Sequence, residues 1–147
     1  MLIQDGGFNE GYSHYGFEDK HLVVDIIKAR GIASLFLVDD VVAFHDDSNS
    51  VSGVVHKFNQ SARHSAAVFC KAHMDFYCQL LYSKFDSRVV SIKRKYFLSC
   101  AFFCITPFSL VAAKVVSSRF VPFFLKKTLV QLLCAKAYFQ GSLVEPL

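Results

Sequence analysis

Tyr96 to Ala113, YFLSCAFFCITPFSLVAA, is a run of eighteen residues without a formal charge, and it limits the folds open to this chain more than any other stretch. An apolar surface of that extent has to be covered by lipid or by protein. As one helix it reaches the short limit for crossing a hydrocarbon core about 30 Å thick, and Pro107 in its middle would kink it. Arg88, Lys93, Arg94 and Lys95 precede the run, and Lys114 and Arg119 follow it. Two further apolar pieces, Phe120 to Leu125 and Thr128 to Phe139, are separated by Lys126 and Lys127, and Lys136 interrupts the second. Basic flanks around Phe-rich helices suit the cytoplasmic face of an anionic bilayer. Spanning, re-entrant, interfacial and buried-hairpin arrangements all satisfy this pattern.

Composition points the same way. Of 147 residues 53% are hydrophobic, sixteen are Phe and none is Trp, and the mean hydropathy is +0.35, which is high for a domain of this size and implies contact with lipid or with a further protein surface. Residues 1–59 hold nine acids against four bases, a net −5, and residues 60–147 hold three against twelve, a net +9. The two halves therefore face different surroundings. The basic half does not read as a nucleic-acid surface, because its charges are interleaved with apolar runs instead of gathered on one polar face. The five cysteines form no CxxC pair and cannot all pair within one chain, so free thiols in a reducing compartment are expected. The start MLIQDGG has neither the basic region nor the apolar core of a cleavable signal.

From Val51 the apolar period becomes helical. Val51, Val54, Val55, Phe58, Ala62, Ser65, Ala66 and Phe69 trace one face, which predicts a long helix from about Ser50 to Tyr82 with a break near His73, Met74 and Asp75. Lys57, Gln60, Arg63, His64 and Lys71 take much of the other face. They form either a solvated surface or, for His56, Lys57, Arg63 and His64, contacts to a diphosphate or lipid phosphate, with Arg63 the foremost candidate.

The N-terminal part carries the residues that suggest chemistry. Gly6 and Gly7 allow a tight turn into the aromatic loop Phe8 to Phe17. Glu18 and Asp19 follow at the start of a helix with Leu22, Val23, Ile26 and Ile27 at helical spacing, Arg30 in its last turn and Gly31 at its end. Backbone N–H groups and the helix dipole favour a charged carboxylate there, so the pair is either a cap and first-turn charge or a base poised to accept a proton. Next, Ile32 to Val38 and Val41 to Phe44 suit two short buried strands joined at Asp39-Asp40. His45 follows the second, and there it either closes the strand or meets a metal.

Gly6-Gly7-Phe8-Asn9-Glu10, then Tyr15-Gly16-Phe17-Glu18-Asp19, then a helix closing at Ala29-Arg30-Gly31, resembles the acceptor-side segment of family 2 glycosyltransferases with the GT-A fold. The stretch from His45 to Ala66 extends the likeness to about the first half of the chain. The resemblance implies an α+β fragment, mainly α: an acceptor loop and short GT-A strands over residues 1–50, a basic amphipathic helical segment over 51–86, and an apolar, membrane-associated helical region over 87–147. It implies Asp19 as general base on an acceptor hydroxyl, Glu18 as an acceptor contact, and His45 as a contact to metal and donor diphosphate. Tyr15 and Phe17 are placed to stack on a sugar, with Gly16 between them and Arg63 on phosphate. The partners implied are a nucleotide-sugar donor, a glycan or lipid-linked acceptor, a membrane at its cytoplasmic face, and Mn²⁺ or Mg²⁺ in the complete enzyme. The family's nucleotide-binding half and its Asp-x-Asp motif would precede Asp5, so the chain is expected to be inactive alone. The competing expectation is a non-catalytic, membrane-anchored interaction protein, or a decayed gene product, that keeps the acceptor loop.

Overall fold

The computed structural model describes residues 7–36, 50–106, 111–112, 115–116 and 118–144. Among the described residues the architecture is carried by the helices α1 (Glu18–Arg30), α2 (Val51–Gln60), α3 (Ala66–Gln79), α4 (Ile92–Ile105) and α5 (Phe123–Ser142). Ser50 caps α2 by accepting from Gly53 N at 3.1 Å, which satisfies one of the donors that a helix start leaves open. The chain then runs without interruption through a π-helical turn, Ser61–Ser65, into α3. A π turn holds one more residue than an α turn and resets which side chains face inward. Here it turns the small residues Ser61, Ala62, Ser65 and Ala66 to the interior.

That small-residue surface lets two neighbours approach closely. From one side comes the aromatic loop: Ser65 Oγ donates toward His14 O at 2.9 Å and Tyr15 O at 3.1 Å, and Gly16 lies on Ser61. From the other comes α5, which packs along α2 and the π turn. Asn59 Nδ2 donates to Ala137 O at 3.0 Å, and a Cβ on Gly141 would stand 2.3 Å from Asn59 O. The core between these elements is aromatic, with Phe17, Phe69, Tyr77 and Tyr138 buried and Tyr82 against them. Burying each such ring stabilises by about 1.5–3 kcal/mol, and each favourable ring pair adds about 0.5–1.5 kcal/mol.

A polar network is sealed into this core. The carboxylate of Asp86 is fully buried and takes Arg88 Nε at 2.9 Å, Arg88 Nη2 at 2.6 Å and Arg88 N at 2.9 Å. Tyr77 Oη also donates to Asp86 Oδ2, and Tyr138 Oη lies 2.8 Å from Tyr77 Oη. Arg88 Nη2 reaches on to Ala62 O at 2.8 Å, which ties the segment after α3 to the π turn. Ser87 N and Oγ then hold the end of α5 through Ser142 Oγ and O. Helix α4 joins by a smaller contact, with Leu98 and Phe102 against Phe139.

The expected α+β character is corrected: the described residues are mainly helical and contain no strand. Ile32–Ser34, expected to open a strand, forms a 3₁₀ turn in which Ser34 N and Ser34 Oγ both donate to Gly31 O and Leu35 N donates to Ile32 O. An apolar β-branched run becomes a strand only beside a partner strand, and the local hydrogen bonds close a turn first. Residues 37–49, with the rest of that expected strand, the second strand and His45, lie outside the described residues. The uncharged run is helical as far as Ile105, and Pro107 lies outside the described residues. Among the described residues no helix is long and apolar enough to cross a membrane.

Candidate functional site

Helix α1 starts at Glu18 and is closed by Gly31, whose φ is 78° and whose N–H donates to Ile27 O at 2.8 Å. Two residues set its start. Gly16 has φ 105°, and a Cβ there would meet Ser61 Oγ at 2.4 Å, so only glycine fits between loop and π turn. Phe17 takes the left-handed conformation, φ 72°, which is uncommon for a bulky residue. The reversal drives its ring into the core, 3% exposed, against Phe69, Tyr77 and Tyr82, and that burial holds the strained backbone.

Glu18 and Asp19 thus emerge together in the first turn of α1, at the rim of a cleft of about 270 Å³. Tyr15, Lys20, Lys57, Phe58, Tyr82 and Tyr138 complete most of its wall. Asp19 stands in solvent at the helix N-terminus. Its Oδ1 accepts from Lys20 N at 2.8 Å and lies 3.6 Å from Lys20 Nζ, an exposed pair worth little to stability. Glu18 differs: its Oε2 is buried with no hydrogen-bond partner. A buried acceptor without a donor costs about 1–3 kcal/mol, which a ligand hydroxyl or amide would relieve. Tyr15 presents an exposed ring with Lys57 Nζ 5.1 Å from its centroid.

The sequence candidates therefore separate. Tyr15, Gly16, Phe17, Glu18 and Asp19 line one cleft, with the Phe17 ring 3% exposed. Arg63 points outward from the π turn and does not line it, whereas Lys57, on the same face in sequence, does. His45 lies outside the described residues. The cleft itself does not fit a divalent metal, because Lys20 and Lys57 stand beside its two carboxylates. That set suits a neutral polyol and an anionic group instead.

A second cluster lies on the side of α1 that packs on α3. His21 and Val24 are the buried residues of α1, so the helix buries a different face from the one that Leu22, Val23, Ile26 and Ile27 predict. Asp25 stands one turn beyond His21, with Oδ2 3.4 Å from His21 Nε2 and Oδ1 3.2 Å from His73 Nε2. Tyr12 Oη is 2.8 Å from His21 Nδ1, and Lys28 Nζ is 2.7 Å from His73 Nδ1. Burial pushes the Tyr12 phenol well above its ordinary pKa, and Glu18 and Asp25 add to this. Burial likewise lowers that of His73, with the Lys28 charge and His21 acting the same way against Asp25. The break expected near His73 is present, since His73 has φ −142° and ψ 49° inside α3. The grouping with α1 carried no sequence signal, because His21 and Asp25 are separated from His73 by about fifty positions of chain.

Comparison with protein-family models, with curated proteins and with solved structures gives no match to the chain.

Proposed function

We propose that the cleft at the start of α1 binds a sugar acceptor, and that the chain is the acceptor-side segment of an inverting glycosyl-transfer enzyme. The observation that carries this is the meeting in one cleft of an exposed aromatic face, Tyr15, a solvent-facing carboxylate at a helix N-terminus, Asp19, and a buried carboxylate oxygen without a donor, on Glu18. Sugars present this combination in reverse: an apolar ring face beside hydroxyl donors. In an inverting transfer the acceptor oxygen displaces the nucleoside diphosphate in one step, and a base removes the hydroxyl proton as the new bond forms. Asp19 takes that proton, Glu18 holds a neighbouring hydroxyl, and Lys57 offsets charge on the anionic side. The nucleotide-sugar donor and its Mn²⁺ or Mg²⁺ are held by other sequence.

The same reading places the chain at the cytoplasmic face of a membrane, near a lipid-linked or glycan acceptor. Its support is the exposed set Phe97, Phe103, Phe120, Phe123 and Phe124 with Lys93 to Lys95 and Lys126-Lys127 nearby in sequence.

Saturation-transfer NMR of the purified chain with a panel of mono- and disaccharides tests the cleft. Weak binding is expected, lost in Tyr15→Ala and kept within a few-fold in Asp19→Asn, while the same Asp19→Asn change in the complete enzyme lowers kcat by roughly 10² to 10⁴. Failure of every saccharide to bind, or binding indifferent to Tyr15→Ala, would remove the proposal.

A further inference from the structure

We infer that His21, Asp25 and His73 form a binding site for one zinc-class divalent cation, separate from the sugar cleft and independent of the reading given for it. One ligand atom from each residue can be chosen so that all lie within 4.8 Å of one another. For bonds of about 2.0–2.1 Å in tetrahedral geometry, neighbouring ligand atoms stand about 3.3 Å apart. Asp25 Oδ2 stands 3.4 Å from His21 Nε2 and Asp25 Oδ1 3.2 Å from His73 Nε2, so each imidazole meets one oxygen of the same carboxylate near that spacing. Two imidazoles and a carboxylate with a fourth position open is a ligand set that borderline cations take.

The hydrogen bonds around His21 favour the form a cation needs. Asn9 Oδ1 accepts from Gly11 N at 2.8 Å, which turns its Nδ2 toward His21 Nε2 at 3.3 Å. Nε2 is then the acceptor, and Nδ1–H donates to Tyr12 Oη. The Nε2 lone pair thus carries no proton and accepts only the long 3.3 Å contact from Asn9, which a cation held between it and Asp25 Oδ2, 3.4 Å away, would displace. Tyr12 is the outer partner that orients the ring. On the other side His73 is 5% exposed, and its Nε2 has no hydrogen-bond partner although Asp25 Oδ1 lies 3.2 Å away.

Lys28 opposes the cation. Its ammonium donates to His73 Nδ1, which puts the ring proton on Nε2, the atom that must ligate. Binding therefore moves the proton of His73 from Nε2 to Nδ1 and releases Lys28, which is exposed, to water with its charge kept. The lysine acts as a competitor whose removal strengthens the site.

Titration of the full chain with Co²⁺, followed by displacement with Zn²⁺, tests this, with far-ultraviolet circular dichroism of each variant to confirm folding. The thiols Cys78, Cys100 and Cys104 are exposed, so the cobalt spectrum is needed to tell imidazole and carboxylate ligation from thiolate. Expected are one Co²⁺ per chain without a thiolate charge-transfer band, affinity down at least tenfold in Asp25→Asn and His73→Gln, down about tenfold in Tyr12→Phe, and up in Lys28→Met. Asp25 is exposed, so Asp25→Asn remains informative if His73→Gln misfolds. A thiolate band, no uptake by the folded chain, or uptake unchanged in Asp25→Asn would overturn the inference.

Discussion

Asp86→Ala should be the most damaging single substitution in the core. The carboxylate is fully buried and accepts from Tyr77 Oη and from three nitrogens of Arg88. Removing it strands a guanidinium whose side chain is 5% exposed and whose Nη1 already lacks a partner, leaving only the Ala62 carbonyl. Breaking a buried ion pair from one side costs about 3–5 kcal/mol, a large part of the roughly 5–15 kcal/mol that holds a domain together. With a urea slope of about 2 kcal/mol/M, the denaturation midpoint should fall by roughly 1.5–2.5 M. Tyr77→Phe, which removes one hydroxyl and leaves the ion pair, should cost only about 1–2 kcal/mol. The double change Asp86→Ala with Arg88→Met removes both charges and should recover most of the single loss. A single-variant cost below about 1 kcal/mol, or a double variant no better than Asp86→Ala, would refute the view that this pair is sealed from water.

Gly141→Ala tests the close approach of α5 to α2. Alanine ordinarily favours a helix over glycine by about 1 kcal/mol, but the new Cβ would meet Asn59 O at 2.3 Å and Ala62 Cβ at 3.1 Å, so a net loss of about 1–3 kcal/mol and a lower Tm are expected; an unchanged or raised Tm would mean the helices are not in contact there. Alkaline pH should also destabilise the fold. Burial, with Asp86 adding to it, pushes the Cys70 thiol up to about 12, and burial raises Tyr77 and Tyr138 beyond the ordinary range. The same groups ionise near 8.5 to 10 when unfolded, so the folded state binds more protons above that point and stability falls as pH rises from about 9 to 12. Urea midpoints at pH 7 and 10.5 check this, and equal values would contradict it.

How far the sequence reveals this protein depends on the range of the interaction. The long helix after Ser50 is legible because its period is local, and so is the end of α1, where Arg30-Gly31 closes the helix. The π turn is not, since Ser61–Ser65 reads as ordinary helix and its extra residue matters only through what packs on it, Gly16 and the Arg88 guanidinium. The orientation of α1 misleads for a related reason. Apolar periodicity selects Leu22, Val23, Ile26 and Ile27, yet the left-handed Phe17 fixes the phase of the helix and puts His21 and Val24 inward. Glu18 and Asp19 were legible as a pair at a helix start. That Glu18 would have a buried, unpartnered oxygen was not, because burial of a single side-chain atom depends on tertiary neighbours.

The buried polar atoms without partners support both proposed sites. Among the described residues they are Glu18 Oε2, His73 Nε2 and Arg88 Nη1. Each costs about 1–3 kcal/mol while unpaired, so a fold retains such atoms where something else offsets the loss. For Arg88 the offset is internal, because its other nitrogens hold Asp86 and the π turn together. For His73 the return is partial, a Lys28 bond at Nδ1 and an Asp25 oxygen 3.2 Å from Nε2, and for Glu18 Oε2 a ligand donor would supply it. Both are near α1, but one lines the cleft at its start and the other faces Asp25 from α3, so one ligand cannot serve both. The chemistry divides in the same way. Glu18 needs a donor, which a hydroxyl supplies and a metal beside Lys20 and Lys57 does not. Two imidazole nitrogens facing the oxygens of one carboxylate suit a cation, which a sugar does not supply. If saccharide and Co²⁺ competed for the chain, that separation would fail; independent binding is the outcome the two geometries require.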